Sequence, residues 1–158
     1  MHTNSIPIDI IRSRSKLILI VSLQSNRAPL VSPTFSFTSL LIYNPELKAA
    51  GIDEIMVYCV NDPAVMDAWA KDQKVVDTHV TFYSDPYGTF TKHFDMELTH
   101  PGPVGKGLVG RCKRFALYID DGEVKYQALA EDPDFDPAGD DFPEKCMPEQ
   151  MLAAIAKL

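Results

Sequence analysis

"EIMVYCVNDPAVMDAWAKDQ", residues 54–73, changes its hydrophobic period halfway along, and that change decides the fold. Residues 54–60 form a short apolar run with β-branched and aromatic side chains, the pattern of a buried strand. Asn61 or Asp62 can then cap a helix, Pro63 suits its first turn, and Val65, Met66 and Trp69 fall on one helical face. A buried strand running directly into a helix is the repeating unit of a helix-covered α/β sheet.

Outward from this unit the alternation continues. "YNPELKAAG" (43–51) reads as the end of a helix, with Gly51 placed as the residue that reverses the chain after it. "LILIVSL" (17–23) reads as a second buried strand. It follows "RSRSK", so a signal-peptide core is the alternative, but it is short for a spanning helix and no small-residue cleavage pattern follows it cleanly. Downstream, "HVTFYSD" (79–85) is a third strand and "DPYGTFTKHFDM" (85–96) a turn into a short helix. "THPGPVGKGLVG" (99–110) is a loop on its Gly and Pro content. "RFALYIDDGEVKYQAL" (114–129) reads as a β-hairpin turning at Asp121-Gly122. After the acidic, proline-rich "AEDPDFDPAGDDFPE" (130–144), Met151, Leu152, Ile155 and Leu158 make the apolar stripe of a last helix. The order βαβαβ, hairpin, helix predicts an α/β, thioredoxin-like fold with a central mixed β-sheet flanked by helices, in one domain over 1–158.

Composition removes several classes of function. With 158 residues and 46% hydrophobic content the chain can bury one real core. A net charge of −7 without any dense basic block argues against nucleic acid or an anionic bilayer as partner. Cys59, Cys112 and Cys146 are odd in number and far apart, which argues against a disulfide framework or a zinc cluster and for reduced thiols in a reducing, cytoplasmic setting, organelles remaining open. His2, His79, His93 and His100 are too isolated to point to a metal, and no cofactor is expected.

The phrases "VNDPAVMDAW", "SDPYGTFTK" and "KRF…DDGEVK", in this order and spacing, resemble the type II peroxiredoxins, the subfamily that includes the atypical two-cysteine members; the resemblance runs from Leu47 to the terminal helix. It implies a thiol peroxidase that reduces hydrogen peroxide and alkyl hydroperoxides, recycled by glutathione, glutaredoxin or thioredoxin. In such a protein a cysteine in the first turn of the helix after the first core strand attacks the peroxide as thiolate and becomes a sulfenic acid. A thiol of ordinary pKa, about 8.5, is only a few per cent ionised at neutral pH. The helix N-terminus and a nearby arginine must therefore stabilise the anion.

Against that expectation stands "SNRAPLVSPTFSFTSLLIY" (25–43). Counted back without a gap, the peroxidatic position falls on Ser32 and the threonine position, three residues earlier, on Pro29. No cysteine precedes Cys59, so no shift of register restores the nucleophile, and a serine hydroxyl has no sulfenic-like oxidation state. Residues 1–45 thus diverge from the family. Two origins stand side by side: a catalytic loop that has changed, or a frame or exon error upstream of Asn44.

The resemblance carries over other residues singly. Arg114, in "CKRF", matches the active-site arginine, an exposed strand-start cation being the alternative. Cys146, in "EKCMPEQML", lies near the resolving cysteine of atypical two-cysteine members, a surface thiol in a polar loop being the alternative. Cys59 reads as a buried core thiol, two residues from a position where some plant relatives carry a second cysteine. Cys112 follows Arg111, with Lys113 and Arg114 nearby, which could lower its pKa, but a lone loop cysteine is more often incidental. Trp69 and Met66 are either core or, with the "DPYG" turn, part of a homodimer surface. Two functions follow: a hydroperoxide reductase, or a non-catalytic thioredoxin-like scaffold or dimerisation module.

Overall fold

In the computed structural model the described residues are 16–21, 44–75, 78–132, 134 and 142–158. They form a five-stranded mixed sheet in the order β3-β2-β1-β4-β5. The strands are β1 (Lys16–Val21), β2 (Glu54–Cys59), β3 (Val80–Ser84), β4 (Phe115–Asp120) and β5 (Glu123–Leu129). β1 is parallel to β2, from Leu17 opposite Glu54 to Val21 opposite Tyr58, and antiparallel to β4. The strand expected over 17–23 is therefore a central strand, with Ser22 and Leu23 outside the described residues.

Each connection shows why its residues are where they are. α1 (Asn44–Ala49) stops because Gly51 takes φ +82°, which lets its N–H reach Lys48 O and the Ile52 N–H reach Leu47 O, closing the two orphan carbonyls. α2 (Pro63–Asp72) is capped by Asp62, whose Oδ1 accepts the N–H groups of Ala64 (2.9 Å) and Val65 (3.0 Å), with Pro63 in the first turn. The β4–β5 hairpin turns at Asp121 (φ 51°) and Gly122 (φ 78°), both left-handed as a tight two-residue turn requires. Short helices α3 (Thr89–His93) and α4 (Pro101–Gly105) lie between β3 and β4, and α5 (Pro148–Ile155) ends the fold.

The sheet separates two cores. Alternating side chains of β2 send Ile55, Val57 and Cys59 to one side, with Leu47, Met66, Cys146 and Met151, and send Met56 and Tyr58 to the other, with Phe90, Cys112 and Phe115. Every residue from Ile55 to Cys59 is buried, so β2 is covered on both faces.

Three local expectations change. Pro101–Gly105 is helical rather than loop: Pro101 starts the helix and His100 Nδ1 accepts the Gly102 N–H at 3.1 Å, so a proline counted as a breaker acts as an initiator. On α2, Met66 is fully buried and Trp69 packs edge-on against Phe82 at 5.0 Å, which makes both core residues, while Val65 is exposed. On α5, Leu158 lies beyond the last helical turn and is exposed, leaving Met151, Leu152 and Ile155 as the stripe.

Gly51→Ala is expected to cost about 1 kcal/mol, because an L-residue is strained at φ +82°. The nearest atom to the new Cβ is Lys16 Cδ at 3.9 Å, so crowding adds nothing. A lower urea midpoint with an unchanged m-value is the result to look for, and an unshifted midpoint would contradict the strain.

Candidate functional site

Arg114 stands where β4 begins, toward the C-terminal end of β1. The antiparallel ladder runs from Lys16 opposite Asp120 to Ile20 opposite Ala116, and Arg114 is one residue before β4, so the chain leaves β1 on the side where β4 begins. There begins the segment holding Pro29 and Ser32, both of which lie outside the described residues. Arg114 is half-buried rather than an exposed strand-start cation. Its backbone carbonyl accepts the Ala130 N–H at 3.1 Å and is approached by Cys146 Sγ at 4.0 Å. Of the residues singled out from the sequence, Arg114 and Cys146 are thus brought together.

Cys146 is not a surface thiol. It closes a 3₁₀ turn, Pro143–Cys146, is 4% exposed, and sits in the same core as Met151 and Ala128. Its thiol donates to the carbonyl of Ala128 at 3.5 Å. The loop around it is polar by composition, yet the turn folds inward because prolines at 143 and 148 bend the chain and α5 needs its apolar face covered. A thiol so enclosed is inert toward solutes.

Cys112 is buried too, at 2% exposure. Burial pushes its thiol up to about 11, against the opposing influence of the backbone of Val60 and of Cys112 itself, with Asp85 adding a further upward push. Two of the neighbouring cations are engaged elsewhere. The Arg111 guanidinium donates to Val60 O at 3.0 Å, and Lys113 pairs with Glu131 at 2.7 Å. Cys59 is buried at 3% exposure, the core thiol expected.

Beside Cys112 lies a polar network that sequence reasoning missed. The Asp85 carboxylate, 5% exposed, accepts the N–H of Phe90 (3.3 Å), the N–H of Thr91 (2.9 Å) and the Thr91 hydroxyl (2.9 Å). It caps α3 from outside the usual cap position, which Gly88 occupies without a side chain to offer. Thr91 Oγ1 in turn lies 3.2 Å from the Tyr58 hydroxyl, and burial first, then Cys112, pushes that phenol far above its ordinary range. The "SDPYGTFT" turn held the only signal, and it is conformational: Asp85 and Thr91, six residues apart, converge only once the turn closes. Among the described residues no group of three or more His, Cys, Asp or Glu side chains is arranged to hold a metal ion.

Comparison with known proteins agrees with this fold. The family model described as Redoxin matches residues 2–141. Peroxiredoxin-2C of Oryza sativa subsp. japonica is 42% identical over 94 residues, covering 60% of this chain and 56% of its own length. Peroxiredoxin-2B of Arabidopsis thaliana is 44% identical over 79 residues, covering 50% of this chain and 46% of its own. The chain thus spans about half the length of the curated relatives it matches. Among solved structures, peroxiredoxin 5 from Alvinella pompejana superposes with a TM-score of 0.72 at 23% identity, over 97% of this chain and 86% of that one, a likeness of fold.

The raised Cys112 thiol has a consequence for stability. An unfolded thiol ionises near 9 while the folded one holds its proton to about 11, so the stabilisation is complete below pH 9 and is lost as pH rises from 9 toward 11. Urea titrations of the wild type between pH 8 and 11 should show a decline of about 2–3 kcal/mol from this group. Cys112→Ala should flatten the curve between pH 9 and 10; an equally steep curve would mean that the thiol is not buried as described.

Proposed function

The chain belongs to the redoxin family and, within it, to the type II peroxiredoxins, and from that membership we propose that it keeps the peroxidase scaffold without the peroxidatic thiol, with Ser32 at the nucleophile's position. The observation that carries this reading is the state of its three cysteines. Cys59, Cys112 and Cys146 are 3%, 2% and 4% exposed, and Cys112 is raised to about 11, so no thiolate stands ready to replace the missing one. The family match takes in residues 25–43, which supports reading that segment as the counterpart of the catalytic loop.

The chemistry of the type needs one sulfur. A thiolate attacks the distal oxygen of the peroxide, an S–O bond forms as the O–O bond breaks, the sulfur becomes a sulfenic acid and the departing alkoxide or hydroxide takes up a proton to leave as alcohol or water; glutathione with glutaredoxin, or thioredoxin, then supplies the two electrons that return the sulfur to a thiol. A serine cannot enter that cycle. What this chain retains is Arg114 at the end of β1, the place where a peroxide and its thiolate would be held, and Cys146 near it as counterpart of a resolving cysteine. A homodimer belongs to the same reading, with the exposed Tyr87 of the "DPYG" turn on its surface. A cytoplasmic setting also belongs to it; among the described residues no helix is long and apolar enough to cross a membrane.

A coupled assay of hydrogen peroxide consumption with thioredoxin or glutaredoxin should show no turnover above the protein-free rate. Turnover abolished by Cys112→Ser or Cys146→Ser would reveal a relocated nucleophile and end this reading. With S32C and P29T introduced together, the new thiol should titrate below the reference value of about 8.5, and R114A should raise it again. A thiol at or above the reference, or indifferent to R114A, would show that Ser32 is not at the catalytic position.

A further inference from the structure

A hydroxyl has one hydrogen to give, and that limit fixes the direction of the polar network in the second core. The Asp85 carboxylate accepts from the backbone N–H groups of Phe90 and Thr91 and from the Thr91 hydroxyl. The Thr91 hydrogen therefore points to Asp85 Oδ2, at 2.9 Å, and toward the Tyr58 hydroxyl, 3.2 Å away, Thr91 Oγ1 can only accept. Tyr58 must be the donor of that pair, and its one hydrogen is taken. The Cys112 sulfur lies within reach of the same hydroxyl, whose hydrogen would favour the thiolate there. The charged groups around Cys112 are Asp85, on the turn after β3; Glu97, opposite it in an isolated antiparallel bridge; and its neighbours Arg111 and Lys113, which donate to Val60 O and pair with Glu131.

We infer that Asp85 governs Cys112 through two intervening hydroxyls: by taking the Thr91 hydrogen it draws the Tyr58 hydroxyl onto Thr91 and withholds it from the sulfur, which stays a thiol. This goes beyond the peroxidase reading and holds whatever residue 32 does. A phenol beside a cysteine is an activating arrangement when its hydrogen faces the sulfur, and a neutral one when it faces away. Here the carboxylate chooses the second. Asp85 is thus a positioning residue with two tasks, holding the first turn of α3 by its N–H groups and setting the order Tyr58 to Thr91 to Asp85 by its acceptors. The reverse order, with Thr91 donating to Tyr58 and Tyr58 to Cys112, would leave Asp85 without the hydroxyl it now accepts.

The experiment follows the Cβ resonance of Cys112 in the folded full chain, labelled with carbon-13 cysteine, between about pH 7 and 10. Thr91→Val removes the acceptor that holds the Tyr58 hydrogen, so Tyr58 turns to Cys112 and the ionisation constant of the thiol should rise about tenfold or more, the effect of one hydrogen bond to a charged group. Thr91→Ser keeps the hydroxyl and should behave as the wild type. Tyr58→Phe alone should not weaken the acidity of Cys112, and in the double variant T91V/Y58F the rise should vanish. Asp85→Asn removes a negative charge as well as an acceptor, so Thr91→Val is the cleaner cut. An unchanged constant in T91V, or a rise that survives in T91V/Y58F, would overturn the inference; so would a large loss of acidity in Y58F, since Tyr58 would then already be donating to the sulfur. Should T91V fail to fold, the wild type decides: the Tyr58 hydroxyl proton, assigned by its absence in Y58F, should show a nuclear Overhauser contact to the Thr91 side chain, and a contact to the Cys112 methylene in its place would end the proposal.

Discussion

β1 is the strand on which the rest of the molecule depends. Its backbone is paired along both edges, parallel to β2 on one side and antiparallel to β4 on the other. Both edges of that strand are thereby paired, and the pairing forces the beginning of β4 to lie at its C-terminal end. Arg114 is carried to the exit of β1 by this pairing alone, although more than ninety residues separate them in the chain. The same geometry places Ala130 opposite Arg114 and thereby sets the floor on which the Cys146 turn rests.

The two faces of the sheet are stabilised differently. Toward Met66 and Met151 the packing is almost entirely apolar, with Trp69 edge-on to Phe82. Toward Phe90 and Phe115 the core contains polar atoms: Tyr58, which packs against both rings edge-on, also reaches Thr91, and through it Asp85. A buried carboxylate is tolerable only when its acceptors are used, and here three donors from α3 meet it. Removing any one of them leaves a polar group stranded in the core, so this face is the more demanding of specific geometry.

Most of the fold was legible because its signals are local and periodic. The β2–α2 unit announces itself through a buried run, an aspartate cap and a first-turn proline within twenty residues. The hairpin is announced by Asp121-Gly122 and the end of α1 by Gly51, each a residue suited to a positive φ. What was misjudged depends on distant chain. Cys146 sits in a stretch of acids and prolines that reads as surface, and its burial arises from β5 and α5 closing over it. Cys112 keeps the incidental reading that its sequence favoured over activation by the flanking cations: Arg111 turns to Val60, 51 residues away, and Lys113 to Glu131, 18 away. Charges adjacent in sequence point in different directions along an extended segment, so adjacency is a poor guide to which group they serve.

The division of the thiols between the two cores has a bearing on redox traffic. Cys59 and Cys146 share one side of the sheet, and Cys112 occupies the other. Side chains on opposite faces of a sheet point away from each other, and a disulfide needs Cβ vectors that converge. A bridge between Cys112 and either of the other two thiols therefore requires the backbone to move, so in the folded chain oxidation on one face is not handed to the other as an intramolecular disulfide.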